Sequence, residues 1–166
     1  MTPLVLADAR LDAMTEADFE TVARLGETIW RTHYPKLISM AQIDYMLAGR
    51  FAPDNLRLYV DADDRWLDLL SLAGKPTGYC SYARTPAADE MKLEQLYLLQ
   101  ECQGRGLGGL MLRHVEAQAR RHALSVLTLQ VNKRNVDAIA VYRKAGFTVR
   151  EEATLRASGA PTAQPL

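Results

Sequence analysis

Apolar and polar positions along the chain fall into segments of two periods. Leu4, Val5, Leu6 and Ala7 form a short apolar run within residues 3–10, which predicts a first strand. Thr15-Glu16-Ala17-Asp18 then resembles a helix-capping arrangement. Behind it Phe19, Val22, Ala23, Leu25, Gly26, Ile29 and Trp30 recur at helical spacing until Pro35 stops them. Ser39 opens a second helix with Ile43, Met46 and Leu47 as its apolar stripe, and residues 54–62 show no more than a helical turn. Residues 65–72 and 77–85 predict a strand pair joined by Ala73-Gly74-Lys75-Pro76, and residues 90–99 predict the next strand. A helix follows from Leu107 to about His122, then a strand over residues 125–131. A short helix from Asn135 to Lys144 ends at Gly146, a natural left-handed cap, and residues 147–152 predict a further strand. This alternation describes one α/β (α+β) domain over residues 1–156, with the small and polar residues 157–166 as a tail.

The densest chemistry lies between the strand at residues 90–99 and the helix that follows. Gln103-Gly104-Arg105-Gly106-Leu107-Gly108 is a glycine-rich turn at a helix start, where several N–H groups converge on one point and the helix dipole adds positive potential. A phosphate seat and a ligand-free connector both fit those six residues. A dinucleotide site also matches the glycines at 104, 106 and 109, but it needs a carboxylate about 20 positions on to hold the ribose. No Asp or Glu stands between Glu116 and Asp137. Nor does the turn end in Gly-Lys-Ser/Thr, so a nucleoside-triphosphate loop is not indicated.

Composition narrows the class further. The 166 residues are 48% hydrophobic and 24% charged, an ordinary water-soluble balance. The apolar runs are too short for a bilayer, and the start of the chain lacks the basic and apolar regions of a signal peptide. Cys80 and Cys102 make no disulfide framework, and both read as buried filler, so a cytoplasmic location is expected. No His/Cys/Asp/Glu spacing suggests a metal, and no basic patch interleaved with aromatics suggests nucleic acid. Residues 1–90 carry 14 acidic and 9 basic side chains, and residues 91–166 carry 6 and 11. The first half therefore suits a cationic partner and the second an anionic one.

Two blocks together resemble the GNAT superfamily of N-acetyltransferases. Gln103 to Gly108 fits that family's Gln/Arg-x-x-Gly-x-Gly/Ala, and the stretch from Asn135 to Phe147 fits its Asn-x-x-Ala-x-x-x-Tyr-x-x-x-Gly-Phe. The likeness covers about residues 75–152. Trp30, Tyr34 and Gln42-Ile43-Asp44-Tyr45-Met46-Leu47 also look like members related to polyamine acetyltransferases. The resemblance implies a mixed, mostly antiparallel sheet splayed between strands 4 and 5, with helices on both faces. It also implies a last strand, for which residues 154–166 are poor material.

What the likeness implies chemically can be carried over residue by residue. Acetyl-CoA is the cosubstrate, its pantetheine arm held by main-chain groups of Leu96, Tyr97 and Leu98. Its pyrophosphate sits on the amides of Gln103, Gly104, Arg105, Gly106, Leu107, Gly108 and Gly109, with Lys133 or Arg134 as further cations. Asn135 bonds the coenzyme or caps its helix. Tyr142 takes the family's tyrosine position, where a phenol protonates the leaving thiolate; positioning and packing are its other readings. A lysine-like amine with a reference pKa near 10.4 is neutral in only about one molecule in a thousand at pH 7, a deficit of roughly 4 kcal/mol, so a base helps. Glu94 is the candidate, against a strand-face carboxylate that orients water or pairs with Lys92. His33, His114 and His122 are weaker candidates, the last two placed on the outer face of the long helix. A backbone N–H of Leu96 or Leu98 would meet the developing oxyanion.

The sequence thus leads to acetyl transfer onto a primary amine of a small molecule, a polyamine among them, or of a peptide, within a ternary complex. A non-catalytic acyl-CoA-binding regulatory module is the alternative. Glu27, Asp44 and Asp54 are candidates to receive a cationic acceptor. Nucleic acid and membrane are not expected partners, and a homodimer agrees with the resemblance.

Overall fold

The hairpin of β2 (Arg65–Leu72) and β3 (Lys75–Arg84) is the centre of the molecule, and its turn is tighter than the sequence predicts. Leu72 pairs directly with Lys75, leaving only Ala73 (φ 49°) and Gly74 (φ 81°) as the loop. Two successive left-handed residues match the right-handed twist of the flanking strands, so Lys75 and Pro76 are drawn into the strand. Pro76 is tolerated because the register shifts beside it, between Leu70 and Ser71.

The computed structural model describes residues 8–33, 39–131 and 135–150. Among them, β1 (Ala9–Ala13), β2, β3, β4 (Glu90–Leu98) and β5 (Val126–Leu129) form one sheet in that order. All neighbours are antiparallel except β4 and β5, which are parallel. Residues 3–7 of the expected first strand lie outside the described residues. Its described part runs on to Ala13, because β2 supplies partners as far as Asp68. The strand expected at residues 147–152 does not form over 147–150. Among the described residues no strand pairs with that stretch, Val149 is 62% exposed, and Arg150 reaches back to Glu90 at 2.6 Å. The remainder of that expectation, the last-strand segment, the tail, Tyr34, Pro35, Lys133 and Arg134 lie outside the described residues.

Helices cover both faces of the sheet. Thr15 and Asp18 form a reciprocal capping box that leads into α1 (Phe19–His33), and the Ser39 side chain accepts from Gln42 N to start α2 (Met40–Arg50). With α3 (Pro53–Arg57), these helices bury Val22, Leu25, Ile29, Trp30, Ile43 and Leu56 against Leu67, Leu69, Tyr79 and Tyr97. On the opposite face α4 (Leu107–Arg121) and α5 (Val136–Lys144) place Leu107, Met111, Leu112, Val115, Ala138 and Tyr142 on Leu70, Cys80, Leu93, Leu96 and Leu98. Each fully buried aliphatic side chain is worth about 1.5–3 kcal/mol, so these two clusters fix the layer order. Both cysteines are buried, as expected.

β4 parts from β5 halfway along its length. The parallel ladder runs only from Glu90 opposite Val126 to Leu93 opposite Leu129. Directly after it the register with β3 slips, with Leu93 facing Tyr82 but Gln95 facing Ser81, so Glu94 is an inserted residue. A bulge of this kind bends the strand and re-aims side chains. Beyond it Leu96, Tyr97 and Leu98 remain bound to β3 alone. That approach is close: a Cβ on Gly78 would stand 2.4 Å from the Tyr97 carbonyl, so only glycine fits opposite Leu98.

Candidate active site

The bulge decides which way the carboxylate points. Met91 and Leu93 belong to the cluster under α4, and so do Leu96 and Leu98, while Tyr97 belongs to the cluster under α1. Alternation therefore slips between Leu93 and Leu96, placing Glu94 and Gln95 together on the α1 face. There Glu94 Oε1 accepts a 3.0 Å hydrogen bond from Tyr59 Oη. Lys92 does not pair with it; its ammonium goes to Gln130 at 3.2 Å. Beside Glu94 runs a buried chain of donors. Trp30 Nε1 donates to Tyr79 Oη (3.1 Å), Tyr79 to Gln95 Oε1 (2.9 Å), and the Gln95 amide to Ser81 Oγ (3.3 Å). Satisfied buried polar groups of this kind hold the strand in one conformation.

The backbone of β4 offers donors on its open edge. Leu99 N donates to Thr77 O of β3 at 2.9 Å, so by alternation the amides of Leu96 and Leu98 face the side from which β5 has departed.

At the end of β4 a 3-10 turn (Gln100–Cys102) leads into the glycine segment. The Gln103 amide is already bonded to Gln100 O at 3.2 Å, which removes it from the predicted set of phosphate donors. Gly104 (φ 77°) and Gly106 (φ 81°) adopt left-handed conformations that cost other residues about 1–2 kcal/mol. Gly106 is the N-cap of α4 and brings no side-chain cap, and the first turn holds no acidic residue. The amides of Leu107, Gly108 and Gly109 and the dipole's positive end are thus left for an outside anion. A Cβ on Gly104 would enter open space, and Arg105 is exposed beside it.

Tyr142 approaches from the α4 face. Asn135 caps α5 by accepting from Ala138 N at 3.2 Å, and Tyr142, two turns on, is 2% exposed within the cluster that holds Leu96, Leu98 and Leu107. Its ring meets Phe147 edge-on with centroids 5.8 Å apart. Burial raises its pKa far above the ordinary tyrosine value. Among the described residues its hydroxyl is the one buried side-chain polar atom without a hydrogen-bond partner. A buried donor with no acceptor is costly, and a thioester sulfur lying along β4 would supply what it lacks. With the open amides of α4 and the free space over Gly104, this hydroxyl makes the site fit an acyl-CoA.

Other expected roles change. His114 and His122 do not face outward. His114 Nε2 sits 2.7 Å from the buried Asp68, which also accepts from Tyr82, and His122 stacks on Trp66 at 4.5 Å. Residue 114 flanks the buried stripe formed by residues 111 and 115, so its ring turns in toward the sheet. Glu27 and Asp44 both bind Arg31 (3.0 and 2.6 Å), and Asp54 binds Arg57 (3.0 Å). Arg57 also binds Glu16 at 3.2 Å, so each arginine serves two exposed carboxylates and each cluster keeps a net negative charge. Sequence reasoning missed Tyr59, Gln95 and Asp68, whose partners come from distant elements.

Residues 23–147 match the model of the acetyltransferase (GNAT) family. The chain belongs to that family. Similar curated proteins include the 5-NmdU N-acetyltransferase of Pseudomonas phage PaMx11, 34% identical over 52% of this chain and 60% of that protein. The [ribosomal protein bS18]-alanine N-acetyltransferase of Salmonella typhimurium is 37% identical over 46% of this chain and 49% of its own length. The chain thus spans about half the length of the curated relatives it matches. Among solved structures, the PaiA N-acetyltransferase from Thermoplasma acidophilum in complex with coenzyme A superposes with a TM-score of 0.76. It shares 16% identity over 87% of this chain and 92% of that one, a likeness of fold. This GNAT fold is the mixed, mostly antiparallel sheet that the sequence predicts, open between β4 and β5. No helix among the described residues is long and apolar enough to cross a membrane.

Proposed function

We propose that the chain is an N-acetyltransferase that moves the acetyl group of acetyl-CoA to a primary amine of a small molecule or peptide, in a ternary complex. The observation that carries this reading is the orphaned hydroxyl of Tyr142, a side chain buried in the same cluster as Leu96 and Leu98 of the stretch of β4 that does not pair with β5. The cosubstrate supplies an activated acyl carbon and a thiolate leaving group. Amides of Leu107, Gly108 and Gly109, with the glycine turn before them, hold its pyrophosphate. Main-chain groups of Leu96 and Leu98 align its arm, those of Tyr97 being turned instead to Tyr79 of β3, and the Leu96 or Leu98 N–H meets the negative charge that develops on the acyl oxygen.

Two protons are handled from opposite faces of the sheet. Glu94, on the α1 face, accepts the proton from the incoming ammonium. Tyr142, on the α4 face, gives its proton to the departing sulfur; its raised pKa keeps it protonated until a thiolate forms. Glu27 and Asp44 share Arg31, and Asp54 and Glu16 share Arg57, so each exposed cluster keeps a net negative charge that suits a cationic acceptor, alongside the surroundings of Glu94. The two curated relatives are named for different acceptors, one for 5-NmdU and one for an alanine of a ribosomal protein, which argues for testing broadly.

Thiol release from acetyl-CoA in the presence of spermidine, free amino acids, alanine-initiated peptides and aminoglycosides is the test. Turnover with one class supports the proposal and names the acceptor. Calorimetric binding of acetyl-CoA with no turnover in the whole panel would favour an acyl-CoA-binding regulatory module instead.

A further inference from the structure

Glu94 does not stand alone at the bulge. Its Oε1 accepts a hydrogen bond from the hydroxyl of Tyr59, a residue more than 30 positions earlier, at 3.0 Å. Tyr59 is held in place by the turn that continues α3. Its amide donates to Leu56 O at 3.0 Å, that of Val60 to Arg57 O at 3.1 Å, and the Leu56 side chain is 2% exposed in the α1-face core. The phenol is therefore anchored through backbone bonds and a buried leucine before it meets the carboxylate.

Resting on the acetyltransferase reading above, we propose that Tyr59 is the positioning residue for Glu94. It ties up one carboxylate oxygen and leaves Oε2 to receive the amine proton. A glutamate on a strand has freely rotating terminal torsions, and a fixed donor on one oxygen restricts them. The phenol is suited to this because it stays a donor. Desolvation first, then the adjacent Glu94 charge and the hydrogen bond, push its pKa up to about 12, against the opposing fields of Arg50 from α2 and Arg65 from β2. The phenol therefore keeps its proton, and its donor role, at neutral pH. Tyr59 also helps to wall a cavity of about 500 Å³ with Met14, Trp66 and Leu67. Replacing tyrosine by phenylalanine removes the donor and keeps that wall.

The experiment is a double-mutant cycle on the full chain with Tyr59→Phe, Glu94→Gln and both together. It uses acetyl-CoA and the panel amine turned over fastest by the unaltered protein. Tyr59→Phe is expected to lower kcat about tenfold, leave KM for acetyl-CoA unchanged, and add nothing to the loss caused by Glu94→Gln. A second readout needs no acceptor. In the Glu94→Gln variant the Tyr59 phenol, followed as the tyrosinate absorbance lost on further change to phenylalanine, should titrate clearly below about 12. Losses that multiply, kcat within twofold of the unaltered chain, or a phenol titration that does not move would each overturn the assignment. A chain that turns over no amine yet shows the shifted phenol titration would sink the acetyltransferase reading and leave the Tyr59–Glu94 coupling standing.

Discussion

Replacing Tyr142 by phenylalanine should make the free protein more stable while stopping the reaction. The hydroxyl is buried in the core without a partner, and leaving such a group unpaired costs about 1–3 kcal/mol. Phenylalanine keeps the ring, its edge-on contact with Phe147 and its packing on Leu96, Leu98 and Leu107, and omits only the oxygen. The packing terms therefore cancel between the two proteins, and the desolvation term remains. In a domain of this size 1 kcal/mol shifts Tm by about 2–4 °C, so the variant should melt at least ~2 °C higher without ligand. Loss of the proton donor should lower kcat by about a hundredfold or more, with coenzyme A affinity kept, because the pyrophosphate amides lie on a different segment. Calorimetric melting of the ligand-free proteins, thiol release and coenzyme A titration together read all three outcomes. An unchanged or lower Tm would refute the reasoning, since it would mean that the hydroxyl is satisfied in the native chain. Equal kcat would remove the phenol from the proton inventory.

The glycine turn and the buried phenols give two more expectations. Gly104→Ala forces a Cβ onto a residue with φ of 77° and into open space, so coenzyme A should bind at least about tenfold more weakly while Tm falls only a few degrees; an unaltered dissociation constant by calorimetry would contradict the cradle. Tyr59, Tyr82 and Tyr142 all have raised pKa values, chiefly through burial, so the folded chain keeps three protons that the unfolded chain releases above about pH 10. Their contribution is complete below pH 10 and is lost as pH rises, by about 1.4 kcal/mol per pH unit for each phenol until its folded value is passed, which for Tyr59 is about 12. Thermal melts from pH 8 to 11.5 should show this fall, and a slope that Tyr142→Phe leaves unchanged would contradict it.

Local chemistry made much of the architecture legible. Ser39 and Asn135 each cap a helix through their own side chains, and Gly146 (φ 104°) closes α5 in the left-handed region. These assignments need only a few neighbouring residues, which is why the sequence shows them. The same holds for the glycine turn before α4, where backbone conformation and helix start are set within six positions. What failed was a segment whose structure depends on a partner. Residues 147–150 have strand-like composition, but a strand exists only where a ladder exists, and no described strand lies beside them.

The functional bulge was visible too, in a pattern that simple alternation passes over. Met91 and Leu93 lie two apart, Leu96 and Leu98 lie two apart, and three positions separate the pairs. A strand keeping both pairs in one core must contain an extra residue between them, which puts Glu94 and Gln95 on the same face. Read this way, the hydrophobic pattern alone points Glu94 away from α4. No pattern points to Tyr59, because the separation of 35 positions from Glu94 spans all of β2 and β3, and their pairing decides whether the two groups meet. The direction of the Glu94 carboxylate is thus a property of one strand's spacing, and its contact with Tyr59 is a property of the assembled sheet. Inserting one residue between Leu93 and Glu94 should therefore cost activity even with Glu94 and Tyr59 both present, because alternation from Leu93 would then turn the carboxylate to the α4 face, beyond the reach of the phenol.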